Sequence, residues 1–215
     1  MSYDEHDAAY DSYMEELYKE HRKEALEEFT SERLQSFYVK NPDLAKPALQ
    51  ALADARKLLP VHPGAALVLA AVAMELGIKT VLLKPVVYGL VHEESAASLI
   101  TDLAISRTGF ERFRDLLVQV LANHGGVDLG TAKRPGSDKL LWEEISEVQK
   151  KRNALLHRGE LPSDYDAERS IVVASTVLDG LIPSVLHRLY MHLHDGTRIC
   201  SNPICRLTTP SAGVV

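Results

Sequence analysis

The chain has 215 residues, of which 46 % are hydrophobic and 25 % charged; this is enough for one well-buried domain and too apolar for wholesale disorder. Its 10 Pro and 12 Gly exclude a fibrous or low-complexity protein, and its 2 Cys exclude a disulfide framework. The net charge of −6 argues against a chain coated in nucleic acid, but residues 1–36 hold 11 acids and 4 bases, so the acidity is local and the body is nearly neutral.

Glu5 to Tyr38 contains neither Gly nor Pro, and Tyr10, Met14, Leu17, Leu26, Phe29, Leu34, Phe37 and Tyr38 recur at helical spacing. One long acidic helix is predicted over residues 1–40, packing on the bundle or extending from it. Its aromatic stripe of Tyr10, Tyr13, Tyr18, Phe29 and Phe37 predicts partial burial. Asn41-Pro42 stops it, because the residue before proline disfavours the α region. A second helix is predicted over Asp43–Leu59, with Leu44, Ala48, Leu52, Ala55 and Leu59 on one face, and Pro60-Val61-His62-Pro63 breaks the chain again.

Gly64 to Leu83 is apolar nearly all round, as suits the centre of a bundle. Glu75 and Lys79 interrupt it, so a buried core helix is expected and not a membrane span. Shorter helices are predicted at Glu93–Ser106 and Phe110–Asn123. Residues 125–136 read as a Gly-rich loop whose Lys133 and Arg134 are expected to be solvated. Ser137 or Asp138 is a candidate cap for a helix over Lys139–Leu156 that Gly159 ends. Pro162-Ser163-Asp164 leads into a last helix, Tyr165–Leu193, with a kink expected at Pro183. No stretch shows sustained strand alternation. The expected fold is all-α: an up-down helical bundle over 41–195 with an N-terminal helical arm and an irregular tail, 196–215.

The chemistry concentrates in Arg152-Asn153-Ala154-Leu155-Leu156-His157. Asn153 and His157, four apart, share a helix face with Arg152 beside it. Gly159 places the imidazole at a helix C-terminus, whose carbonyl end attracts positive charge. Lys150, Lys151 and Arg158 add cations around it. A proton-exchanging His beside a fixed guanidinium is what phosphodiester cleavage needs, since Arg grips phosphate oxygens bidentately. Glu75 has two readings, an ion pair with Lys79 or a carboxylate that orients Arg152.

Arg-Asn-x-x-x-His near the end of a helix resembles the signature of the HEPN superfamily, small helical bundles found in prokaryotic toxins, phage-defence systems and RNA-cleaving enzymes. The apolar helix around Ala70–Leu76, with its Glu75, is similar to the family's earlier helix, and the likeness spans roughly residues 43–194. The resemblance implies a metal-independent endoribonuclease acting as a homodimer, with Arg152 and His157 catalytic and Asn153 their polar partner. Single-stranded RNA is the expected partner, because unstacked nucleotides reach the in-line geometry that a duplex resists, and a toxin or antiviral-defence effector of this kind is expected to be held in check by an inhibitor protein. The toxin branch with Tyr two residues past the His is not matched, because Gly159 stands there. The alternative is a non-catalytic module of the same fold that binds nucleotides or a protein.

No cofactor and no metal are expected. His187, His192 and His194 lack helical zinc spacing, and Cys200-x4-Cys205 reads as a loose tail. The acidic N-terminus shows no signal peptide, so a reducing, cytoplasmic setting without membrane association is expected.

Overall fold

The computed structural model of the chain describes residues 5–91, 94–100, 114–122 and 126–208. Helix makes up 73 % of it and the only sheet among the described residues is a two-stranded hairpin, so the fold is all-α. Helix α1 (Glu5–Lys40) is the predicted arm. From Tyr10 to His21 its described side chains are exposed apart from Leu17, which is half-buried. Tyr10, Tyr13 and Tyr18 are 61 %, 61 % and 70 % exposed, so the expected burial of the aromatic stripe does not extend to them. Near its end the arm joins the bundle: Leu34 and Tyr38 are buried, and Phe37 rests on Tyr88 at 4.8 Å between ring centroids. Arg33 also donates to the carbonyls of Tyr88 and Val91, two acceptors at the end of a helix that have no partner within it.

Helix α2 (Lys46–Leu58) carries Pro47 in its first turn, where a missing N–H costs nothing. Its buried Ala48 and Ala55 meet an alanine-rich helix α3 (Pro63–Leu76), in which Ala66, Ala70 and Ala73 are buried. Small side chains on both sides allow this antiparallel pair to approach closely.

Two longer helical rods form the centre. The first runs from α3 through a π-helical segment (Gly77–Leu83) into α4 (Lys84–Leu90). The second runs from α8 (Asp164–Ser175) through a π-helical segment (Thr176–Leu181) into α9 (Ile182–Arg188). In both, a proline follows the wide turn, Pro85 and Pro183. Proline lacks an N–H and its ring crowds the carbonyl four residues back. The π-helical register relieves this crowding, so the apolar run expected to end at Leu83 continues to Leu90. Pro183, where a kink is expected, likewise stands directly after a π-helical turn inside the continuous second rod.

For Pro85 the affected carbonyl is that of Val81, and the hydroxyl of buried Tyr38 donates to it at 2.7 Å. Burial raises the Tyr38 phenol well above its ordinary value, so it remains a donor at any physiological pH. Tyr38→Phe leaves this buried carbonyl without a partner. The expected loss is about 1–3 kcal/mol, read as a lower urea midpoint at unchanged slope. The two rods, Pro63–Gly89 and Asp164–Arg188, are long and apolar enough to cross a membrane. Here 61 % and 56 % of their apolar windows are buried against the rest of the protein.

Helix α5 (Glu94–Ile100) and helix α6 (Arg114–Val120) correspond to parts of the two predicted short helices; the parts over 101–113 and at 123 lie outside the described residues. Helix α7 (Leu141–Arg158) begins two residues later than expected, and neither Ser137 nor Asp138 is its cap. The reason is a backbone bridge between Lys133 and Leu140, with Leu141 N donating to Ala132 O at 2.8 Å, which keeps the chain extended up to Leu140. Glu143 then accepts from the Leu140 amide. Helix α8 starts as expected, with Ser163 Oγ accepting from Asp166 N and the Asp166 carboxylate accepting from Ser163 N.

The tail expected to be irregular carries regular elements in its described part, 196–208; residues 209–215 lie outside the described residues. Strands β1 (His192–His194) and β2 (Arg198–Cys200) pair antiparallel, and α10 (Pro203–Thr208) follows. Asp195 and Gly196 both have positive φ, 49° and 68°, and Thr197 N donates to His194 O at 3.1 Å. This is the tight hairpin turn that Asp-Gly favours. Buried Ile199 anchors the hairpin, its amide donating to Pro42 O at 2.8 Å.

Candidate functional site

Arg152, Asn153 and His157 occupy the last two turns of α7: Asn153 and His157 lie on its exposed side, whereas Arg152, four residues past Val148, continues the core-facing stripe of Leu141, Ile145 and Val148. Gly159 ends the helix with φ of 69°, and its amide donates to Leu155 O at 3.0 Å. A side chain at this position favours the left-handed region far less than glycine does, so Gly159 fixes His157 at the helix end. Asn153 and His157 are exposed, and Arg152 is half-buried. Arg152 Nη1 donates to Asn153 Oδ1 at 3.0 Å. Its Nε is buried and meets no hydrogen-bond partner among the described residues. A guanidinium steered by a neighbouring amide suits an anionic ligand through its Nη groups, whereas the buried Nε lies out of a ligand's reach.

The other cations divide. Lys151 pairs with Asp166 at 3.3 Å, and Arg158 pairs with Glu160. Together with Lys150, Lys151 and Arg158 line a shallow cleft of about 290 Å³ between α7 and α8, whose wall also contains Glu147, Asp166 and Arg169. The helix thus presents two surfaces, one with the Arg152–Asn153 pair and His157, the other a cleft of mixed charge. Glu75 is engaged by Lys79 at 2.6 Å, which is the ion-pair reading of that residue; both side chains are largely shielded, at 27 % and 12 % exposure.

The most buried charge in the vicinity was not predicted. Glu144 is 1 % exposed, within the core-facing stripe of α7. Arg134 reaches it through Nε at 3.1 Å and Nη2 at 2.9 Å, and Arg169 of α8 through Nη2 at 3.1 Å. Arg169 also pairs with Glu147 at 2.6 Å. Burial pushes the Glu144 carboxyl up, but hydrogen bonds from the two guanidiniums outweigh it and hold the group below its ordinary value. Arg134, expected to be solvated, is instead the clamp that ties the 126–140 loop to α7. The signal was available: Glu144 is three residues from Leu141 and four from Val148, and a carboxylate in such a stripe demands a cation.

Comparison of the chain with protein-family models, with curated proteins and with solved structures finds no match in any of the three.

Proposed function

We propose that the chain is a metal-independent endoribonuclease of the HEPN type that acts as a homodimer on single-stranded RNA. The observation that carries this reading is the placement of Arg152, Asn153 and His157 together at one helix end, with the Arg152 guanidinium steered by Asn153. Arg152 holds the scissile phosphate and stabilises the charge that builds on its oxygens. One His157 takes the proton of the 2′-hydroxyl, whose oxygen attacks phosphorus. The 5′-oxygen leaves with a proton from a second imidazole, giving a 2′,3′-cyclic phosphate and a 5′-hydroxyl.

Each chain supplies one such His, so a two-fold pair of motifs provides both base and acid. Leu156 supports the pairing: it lies between Arg152 and Asn153 on the helix surface and is 52 % exposed, an apolar side chain available to a second copy. Unstacked RNA is favoured as substrate because it reaches the in-line geometry that a duplex resists. The reading places the protein in the cytoplasm, as a toxin or antiviral-defence effector restrained by another protein.

A second reading draws on the cations that are already paired. With Lys151 and Arg158 engaged by Asp166 and Glu160, the free basic surface is small, as a non-catalytic nucleotide- or protein-binding module requires. Product chemistry separates the two. Wild-type protein and end-labelled single-stranded RNA in magnesium-free buffer are expected to yield fragments ending in 2′,3′-cyclic phosphate. RNA that is retained but stays intact would replace the nuclease by the binding module.

A further inference from the structure

The C-terminal hairpin gathers residues that are scattered in sequence and play no part in the reaction above. His192 and His194 are two apart on β1 and so project from the same face of the hairpin. Cys200 is the direct cross-strand partner of His192, which puts it on that face as well. Beyond β2, an Asn202 side-chain turn, with Oδ1 accepting from Ile204 N at 3.0 Å, starts α10 and brings Cys205 back over the strands. Ligand atoms of His192, His194 and Cys205 lie within 4.8 Å of one another. The Cys205 sulfur is 2.6 Å from His194 Nδ1, and Cys200 adjoins this trio through its pairing with His192.

We propose that His192, His194, Cys200 and Cys205 form a tetrahedral zinc site that joins the C-terminal hairpin to α10. This proposal departs from the expectation of a metal-free tail, and it rests on Asp195-Gly196 folding β1 onto β2 so that His192 faces Cys200. A Zn²⁺ ion with Zn–S of about 2.3 Å and Zn–N of about 2.0–2.1 Å holds its ligand atoms roughly 3.3–3.8 Å apart; binding would part His194 and Cys205 from their 2.6 Å contact and bring Cys200 in from outside the 4.8 Å group of the other three.

Two further features match the surroundings of a bound metal. His194 Nε2 lies 3.1 Å from Asp195 Oδ2, so a carboxylate takes the second ring N–H while Nδ1 turns to the cluster. The Asn202 amide donates to Cys200 Sγ at 3.4 Å, a contact that stabilises sulfur as thiolate. Zn²⁺ displaces one proton from each thiol, and two thiolates with two neutral imidazoles leave the site without net charge.

Four protein ligands leave no open position, so the role is structural. The hairpin is fixed to the α1–α2 corner through Ile199 and Pro42, near the end of α9, whereas α7 and the start of α8 lie at the opposite end. The 25-residue rod between them is roughly 37 Å long, so this metal takes no part at Arg152 and His157.

The test is metal analysis of the full chain, purified under reducing conditions, followed by Co²⁺ titration of protein stripped by chelator. The expected result is one zinc per chain. With one equivalent of Co²⁺, thiolate charge-transfer bands and tetrahedral d–d bands should appear and be displaced by Zn²⁺. Cys200→Ser and Cys205→Ser should lose the charge-transfer intensity while keeping the helical circular dichroism, and Asp195→Asn should weaken Co²⁺ binding about 10- to 100-fold. Three results would each overturn the proposal: no saturable binding, an octahedral cobalt spectrum, or a Cys200–Cys205 disulfide in protein whose thiols were blocked at lysis.

Discussion

Glu144→Ala is expected to lower the stability of the fold by about 3–5 kcal/mol, a large share of the roughly 5–15 kcal/mol a domain of this kind possesses. The carboxylate is fully buried and faces guanidiniums from two different segments, Arg134 in the 126–140 loop and Arg169 on α8. Removing it leaves Arg134, only 20 % exposed, without its carboxylate and beside Arg169, 22 % exposed, which keeps only Glu147. The penalty is therefore dominated by uncompensated charge and not by the loss of favourable contacts. A urea titration reads it as a lower midpoint, and Arg134→Met with Glu144→Met should recover much of the loss, because an apolar pair of similar volume removes the burial penalty with the charge.

The same group sets a pH dependence. Its folded-state value is depressed, so its contribution is complete above the ordinary carboxylate range and is lost as pH falls through the folded value. Wild type should lose more stability on acidification below about pH 4.3 than the Arg134→Met, Glu144→Met variant does, measured as the change in urea midpoint with pH.

The second large effect lies at the helix end. His157→Ala is expected to reduce RNA cleavage by about 10²- to 10⁴-fold, the range for a positioned acid–base group, equivalent to roughly 3–5 kcal/mol of transition-state stabilisation. Arg152→Ala should cost about 10²- to 10³-fold, as for removal of one charge-stabilising donor. His157 is exposed, so its loss should leave the urea midpoint within about 0.5 kcal/mol of wild type. Single-turnover kinetics on labelled RNA give the rates, and the two effects should be far from additive because both groups serve one transition state.

Several features of this molecule are written in local sequence. Asn41-Pro42 and Gly159 mark helix ends where backbone preference decides, and the apolar spacing of 43–59 and 64–83 finds the central helices. What was not legible depends on distance. Pro85 and Pro183 look like breaks because proline is judged against its own helix, whereas the Val81 carbonyl is satisfied by Tyr38, forty-three residues away. Glu144 finds Arg134 and Arg169 only once the loop and α8 have packed. The hairpin was missed for a different reason: its strands are three residues each, too short for alternation to register, although Asp195-Gly196 carried the turn signal. At the candidate site, the helix-end placement of Arg152, Asn153 and His157 was legible, but the pairing of Lys151 and Arg158 with acids was not, since Asp166 belongs to the next helix.

The most direct test is cleavage of one labelled single-stranded RNA by wild type and by His157→Ala, both shown to be folded, in magnesium-free buffer. The expected result is cyclic-phosphate fragments from wild type and intact RNA from the variant. Equal cutting by both proteins, or none by wild type, would contradict the assignment of His157 as the proton-transfer group of a ribonuclease.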